Sequence, residues 1–211
     1  MLTRSGDDLF SVTTESPQDA QALANQLRDS GDWLEVIPGI DSVVLQFDAA
    51  TYDGDDVRQT IESALAAGIE PLQISQSLVE IPVIYGGEYG PDLNALCEKI
   101  GLSADDVIAL HTGREYTVDM IGFTPGFAFI GDLDERLRVP RRKEPRQRVE
   151  AGSVGIADER TGLYAMASPG GWTIIGRTPS RLFDPNAEQP FVLGAGTRVR
   201  FTAISADELN G

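Results

Sequence analysis

The sequence predicts an α+β protein in two parts: a small split-βαβ (ferredoxin-like) domain over residues 1–78, then a strand-rich barrel or sandwich over residues 79–211. Three observations lead there. Two amphipathic helical stretches alternate with short strand-like runs in the first part. After Glu115, glycine and proline recur every few residues between β-prone segments. Hydrophobic residues make up 41% of the 211, which is enough to support a buried core.

Taken in order, residues 8–13 read as a strand. Ser16 followed by Pro17 is a helix start, a capping hydroxyl ahead of a proline in the first turn. Ala20, Leu23, Ala24 and Leu27 then fall at helical spacing, and Gly31 follows. Residues 34–37 and 42–47 read as strands flanking the Pro38-Gly39 turn. A second helix over 55–67 carries Val57, Ile61 and Leu65 on one face and stops at Gly68. Residues 72–74 supply a final strand. The order β-α-β-β-α-β puts both helices on one side of an antiparallel sheet. Asp53-Gly54-Asp55-Asp56 lacks the spacing of a calcium loop and reads as an acidic helix start. From Val79, a strand leads into helices over 91–100 and 103–112, and then into strands and loops. Cys97 lies at helical spacing in DLNALCEKI and reads as a small core residue.

Charge excludes several functions. With 33 acidic against 17 basic residues the net charge is −16, so nucleic acid and anionic membranes are repelled. No apolar run is long enough to span a bilayer, and the acidic N-terminus is unlike a secretory signal, so a cytoplasmic protein is expected. A single cysteine allows no intrachain disulfide, and with one histidine no protein-bound metal site is expected. Two of the basic residues are lysines, Lys99 and Lys143. An acidic, lysine-poor surface suits very salty cytoplasm, and a halophilic source is the hypothesis. Unfolding in low salt that molar KCl reverses would support it, and full stability in dilute buffer would count against it.

Three features carry chemistry. First, Arg136, Arg138, Arg141, Arg142, Lys143, Arg146 and Arg148 place seven of the 17 basic residues within 13 positions. Such a run is either a solvated face or a receptor for an anionic ligand or acidic partner. Second, three glycine-rich loops, GFTPGFAFIG, AGSVGIA and SPGGWTIIGRTP, serve either as turns or as backbone donors around one site. None matches the GxxxxGK[ST] phosphate loop. Third, His111 is the single histidine, either packed or a general acid-base. No GxSxG elbow is present, which disfavours a serine hydrolase.

The succession HTGREYTVDMIGFTPGFAFIG, VPRRKEPR, AGSVGIA, SPGGWTIIGRTP and LFDP resembles the allophanate hydrolase subunit 1 family. That family includes the B subunits of 5-oxoprolinases and KipI-type kinase inhibitors, and it is similar to part of the carboxyltransferase region of urea carboxylase. The resemblance covers residues 81–185 closely and the N-terminal part in element order. It implies a cyclophilin-like β-barrel for the second part. It also implies a subunit of an ATP-dependent hydrolase that opens 5-oxoproline to glutamate and is incomplete alone. The implied partners are a larger homologous subunit, of the allophanate hydrolase subunit 2 or C-type 5-oxoprolinase kind, and a third subunit. ATP is the implied co-substrate, with any magnesium carried by the nucleotide. Two alternatives stay open: a urea- or allophanate-type carboxyltransferase component, and a non-catalytic inhibitor of a histidine kinase.

On the family pattern fall His111, Tyr116, Phe123, Pro125, Gly126, Phe127, Pro140, Arg141, Arg146, Gly152, Ser153, Gly170, Gly171, Trp172 and Arg177. Among these residues, anion binding is assigned as a hypothesis to Arg141, Arg146 and Arg177. The same hypothesis gives hydrogen-bond donation to Ser153 and to the backbone of Gly152, Gly170 and Gly171, with His111 the candidate proton carrier. Phe123, Phe127 and Trp172 are expected in packing or at a partner interface. The chain departs from the pattern at Glu150 and Ala165, where proline is usual, and at Asp158-Glu159.

Overall fold

The computed structural model describes residues 1–71, 78–187 and 190–209 and divides into two compact units, Met1–Gln73 and Ile74–Gly211. The second unit's first strand begins at Leu78, so the division falls ahead of the 78/79 boundary expected from the sequence.

In the first unit the sheet runs β1 (Leu2–Ser5), β2 (Leu9–Thr13), β4 (Ser42–Gln46), β3 (Glu35–Pro38), antiparallel throughout. Helix α1 (Pro17–Arg28) starts where the sequence indicated: the Ser16 hydroxyl accepts from the Asp19 amide, with Pro17 in the first turn. Its buried face includes Ala20, Leu23, Ala24 and Leu27. Helix α2 (Gly54–Ala66) is capped by Asp53, so the acidic run is a helix start. Both helices share one core with Phe10, Val12, Val43 and Leu45.

Strands β2 and β3 are joined through α1, with β4 between them, which is a split β-α-β arrangement. The ferredoxin-like order would be completed by the strand expected at 72–74, which lies outside the described residues. Strand β1, not expected from the sequence, occupies the edge beside β2. Gly6, at φ +69°, permits the short turn that folds β1 back onto β2.

In the second unit seven strands close a barrel, consistent with a cyclophilin-like one. They are β5 (Leu78–Tyr85), β6 (Glu115–Ile121), β7 (Ala128–Ile130), β9 (Ser153–Ala157), β10 (Arg160–Leu163), β12 (Thr173–Arg177) and β13 (Arg198–Ala203), in the order β10-β7-β6-β13-β5-β12-β9. Strands β13 and β5 run parallel, and the other neighbours are antiparallel. A separate pair, β8 (Arg146–Val149) and β11 (Ser168–Gly170), forms a small sheet of its own.

Alternation along the strands separates two cores. Ala128, Ile130, Val154, Ile156 and Ile175 belong to the main cluster inside the barrel, with Ile81, Val83, Val118 and Phe201. Phe129, Ala157 and Ile174 face the other way and join Phe127, Val149, Tyr164 and Trp172 in a second cluster. Val149 comes from β8, so the small sheet covers this outer layer. Barrel strands buried on both faces explain why β9 reads as a continuous buried run.

Helix α3 (Leu93–Ile100) begins two residues later than its sequence pattern suggests, with Asp92 at its start making no side-chain capping bond. Helix α4 (Ala104–Thr112) carries a reciprocal capping box between Ser103 and Asp106. No helix among the described residues is long and apolar enough to cross a membrane.

Candidate functional site

The outer aromatic cluster is not fully closed. A cavity of about 230 Å³ opens into it, walled by Phe123, Phe127, Phe129 and Trp172, with Arg141, Tyr164 and the Pro169-Gly170-Gly171 backbone at its polar side. The rings pack edge-to-face around Phe127: centroid distances are 4.7 Å to Phe129, 4.8 Å to Tyr164 and 5.5 Å to Trp172. Glycines make the room. A Cβ at Gly162 would lie 2.9 Å from the Trp172 ring and 3.0 Å from that of Phe127, and one at Gly170 would collide with the Tyr164 hydroxyl.

Phe123 forms the rim and is 66% exposed. Its φ of +67°, with the Thr124 amide donating to the Gly122 carbonyl at 2.8 Å, makes it the centre of a γ-turn of the φ-positive kind. That conformation is strained for an aromatic residue, and such strain concentrates at functional sites.

Two polar groups face this apolar setting. The Arg141 guanidinium stacks over the Trp172 indole, 5.8 Å from its centroid, and has no carboxylate partner among the described residues. The Tyr164 hydroxyl is buried without a hydrogen bond; it lies beside the Trp172 amide without closing one of acceptable geometry. Burial pushes its pKa up, so it is a neutral phenol with a proton to donate. An unpartnered buried hydroxyl is costly and calls for a ligand atom. The cavity can therefore take a small, flat, polar ligand, with its anionic end on Arg141 and a hydrogen-bond acceptor on Tyr164.

The residues expected from the sequence scatter. Gly170, Gly171, Phe123, Phe127, Trp172 and Arg141 come together at the cavity. Arg146 does not join them: both its terminal nitrogens bind the Asp92 carboxylate, at 2.8 and 2.6 Å. The pairing anchors the basic loop. Arg177 stacks over Tyr89 at 5.7 Å, with its Nε buried and unpartnered, and does not line the cavity.

Gly152 is also not a free donor. Its amide donates to the Tyr164 carbonyl at 2.7 Å, and its carbonyl accepts from the Thr178 amide. It is glycine because φ is +80° and a Cβ would lie 2.5 Å from the Thr178 carbonyl. Ser153 is buried in β9, paired with Arg177 of β12, and is absent from the cavity wall.

His111 is packed inside the second unit and does not line the aromatic cavity. It is wholly buried against Tyr116 and Phe201. Its Nδ1 lies 2.7 Å from the Tyr85 hydroxyl and its Nε2 2.9 Å from the Thr161 hydroxyl. Thr161 in turn donates to the Gly155 carbonyl, so the consistent tautomer has the proton on Nε2, with Nδ1 accepting from Tyr85. Burial lowers its pKa from 6.5 to about 3, which leaves it neutral near pH 7.

Sequence reasoning missed Tyr164, Phe129 and Asp92. Asp92 is 7% exposed and receives Arg146, Arg142 at 3.2 Å and the Ile174 amide at 2.7 Å. It thereby ties the helix α3 entry to the basic loop and to β12. No spacing signal marks any of the three. Among the described residues, no group of three or more histidine, cysteine or acidic side chains could hold a metal ion.

Comparison with known proteins places the chain. Residues 3–193 match the family described as "Carboxyltransferase domain, subdomain C and D". The B subunit of 5-oxoprolinase from Bacillus subtilis (strain 168) is 37% identical, over 97% of this chain and 89% of the relative. That of Haemophilus influenzae is 42% identical, over 85% and 84%. Among solved structures, TTHA0988 superposes with a TM-score of 0.79 at 33% identity; the match covers 94% of this chain and 40% of that larger one. The urea carboxylase of Kluyveromyces lactis superposes with a TM-score of 0.77 over 99% of this chain and 22% of its own length, at 18% identity, a likeness of fold.

Proposed function

The chain belongs to the carboxyltransferase domain family, subdomains C and D, and on that premise we propose that it is the B-type subunit of a 5-oxoprolinase. The observation that carries the reading is the near full-length similarity to curated subunits of that name, at 37–42% identity. Neither the urea-type nor the kinase-inhibitor alternative has support of that kind.

The cavity fits the substrate class. 5-Oxoproline is a flat five-membered lactam bearing one carboxylate. Aromatic walls suit the ring, the Arg141 fork suits the carboxylate, and the Tyr164 phenol suits the lactam oxygen. Donation from Tyr164 would stabilise negative charge on that oxygen as the carbonyl is attacked. An unstrained lactam is a poor electrophile, which is the chemical case for coupling to ATP. Transfer of the γ-phosphoryl group to the lactam oxygen activates the carbon, water adds, the C–N bond breaks to free the amine, and a second water hydrolyses the acyl phosphate.

The remaining catalytic groups belong to partner subunits in this reading: a larger homologous subunit, and a third. The test is glutamate release from 5-oxoproline and ATP by the reassembled subunits, with this chain omitted as control. Loss of glutamate on omission supports the proposal. Undiminished release without the chain would sink it.

A further inference from the structure

A second cavity, of about 280 Å³, lies between helix α3 and segment 139–143. Four cations line it: Lys99, Arg141, Arg142 and Lys143. Its one carboxylate is Asp92, already bound by Arg146, Arg142 and the Ile174 amide. Lys99, Arg141 and Lys143 have no ion-pair partner among the described residues.

In a chain of net charge −16 this sign reversal is local and concave. It also holds both of the chain's lysines; the other 15 basic residues are arginines. Unpaired like charges gathered around one hollow repel one another, and the arrangement is relieved by an anion that carries several charges. Lysine ammoniums are compact, mobile donors suited to phosphate oxygens, and arginine forks grip the same group from a fixed direction. Asp92 holds Arg142 in place from below, so part of the cradle is preorganised.

We infer that this cavity seats a phosphate-bearing small anion, with Lys99, Lys143 and Arg141 meeting its oxygens and Arg142 fixed by Asp92. Arg141 also lines the aromatic cavity, so the two hollows share a wall residue. A phosphate group in one and a small ligand in the other would meet at that guanidinium. The anion seat stands on its own geometry; only the placement of a phosphoryl donor next to 5-oxoproline rests on the proposed function.

The test is calorimetric titration of the full chain with inorganic phosphate, pyrophosphate and ATP, at low and at moderate ionic strength. Saturable binding that weakens with salt is expected. The double variant Lys99→Gln/Lys143→Gln should weaken it about tenfold or more, with an unchanged unfolding midpoint because both side chains are exposed. Equal affinity for pyrophosphate and ATP would assign the seat to the phosphates alone. Markedly tighter ATP binding would assign it to a nucleotide's phosphate chain. No saturable binding of any of the three, or binding indifferent to the double substitution, overturns the inference. Binding is read on the chain itself, so failure of the oxoprolinase assignment would leave this outcome unaffected.

Discussion

Asp92 and Arg146 are joined through both carboxylate oxygens, at 2.6 and 2.8 Å, across 54 positions of sequence. The pair fastens the basic loop to the entrance of helix α3, and a further bond to Asp92, from the Ile174 amide, fastens both to the barrel. Two cavities border this junction, and Arg141 lines both.

Removing Asp92 should therefore loosen the site as well as the fold. Asp92→Ala leaves Arg146 partly buried without its partner and the Ile174 amide without an acceptor. A loss of about 3 kcal/mol is expected in urea unfolding. Arg146→Ala should behave similarly. An unfolding midpoint unchanged in both would mean that the pair does not anchor the loop.

His111 makes stability depend on pH in a defined direction. Its folded pKa is lowered to about 3 by burial, against 6.5 when exposed. The unfolded chain therefore takes up a proton that the folded chain refuses. Stability from this residue is full above pH 6.5 and falls as pH drops towards 3, at up to about 1.4 kcal/mol per unit. Unfolding at a series of pH values should show that slope, and His111→Gln should remove its share of it. A catalytic rate that follows a group titrating near 6.5 and vanishes in His111→Gln, with the fold intact, would contradict the packed role.

Tyr164→Phe deletes a buried hydroxyl that bonds to nothing in the free protein. Stability should hold or rise by roughly 1 kcal/mol, since no hydrogen bond is lost. Affinity for 5-oxoproline in the reassembled enzyme should fall about tenfold. Lower stability with unchanged affinity would show that the hydroxyl serves the fold.

Phe123→Gly relaxes the φ of +67° and removes the exposed rim of the aromatic cavity. Unfolding stability should shift by no more than about 1 kcal/mol in either direction, because relief of strain offsets glycine's greater entropy when unfolded. Substrate affinity should drop. Strong destabilisation would mean that the loop depends on Phe123 for packing.

Local order was legible where one residue type has one physical use. Ser16-Pro17 and the Val57-Ile61 face marked helices, because caps and periodicity act within a few residues. Strand β1 was missed, since four residues of a terminal edge strand carry no periodic signal. Arg141 and Gly170-Gly171, singled out by resemblance, line the aromatic cavity, as does Trp172, which was expected in packing or at an interface. Ser153, Gly152, Arg146, Arg177 and His111 lie on the same pattern but are absent from the wall of the aromatic cavity. Pattern alone does not separate a donor aimed at a ligand from one spent on a neighbouring strand. Tyr164 was invisible because its significance is a missing partner, which exists only once β10, β11 and the aromatic layer have met.

The most direct test is the kinetics of Arg141→Ala in the reassembled enzyme, with folding of the variant checked by its unfolding midpoint. Loss of a charge-assisted bond to the substrate carboxylate should raise KM for 5-oxoproline by about tenfold or more, with the midpoint unchanged because Arg141 is exposed. Wild-type KM and kcat in a folded, assembled Arg141→Ala enzyme would contradict placing the substrate in the aromatic cavity.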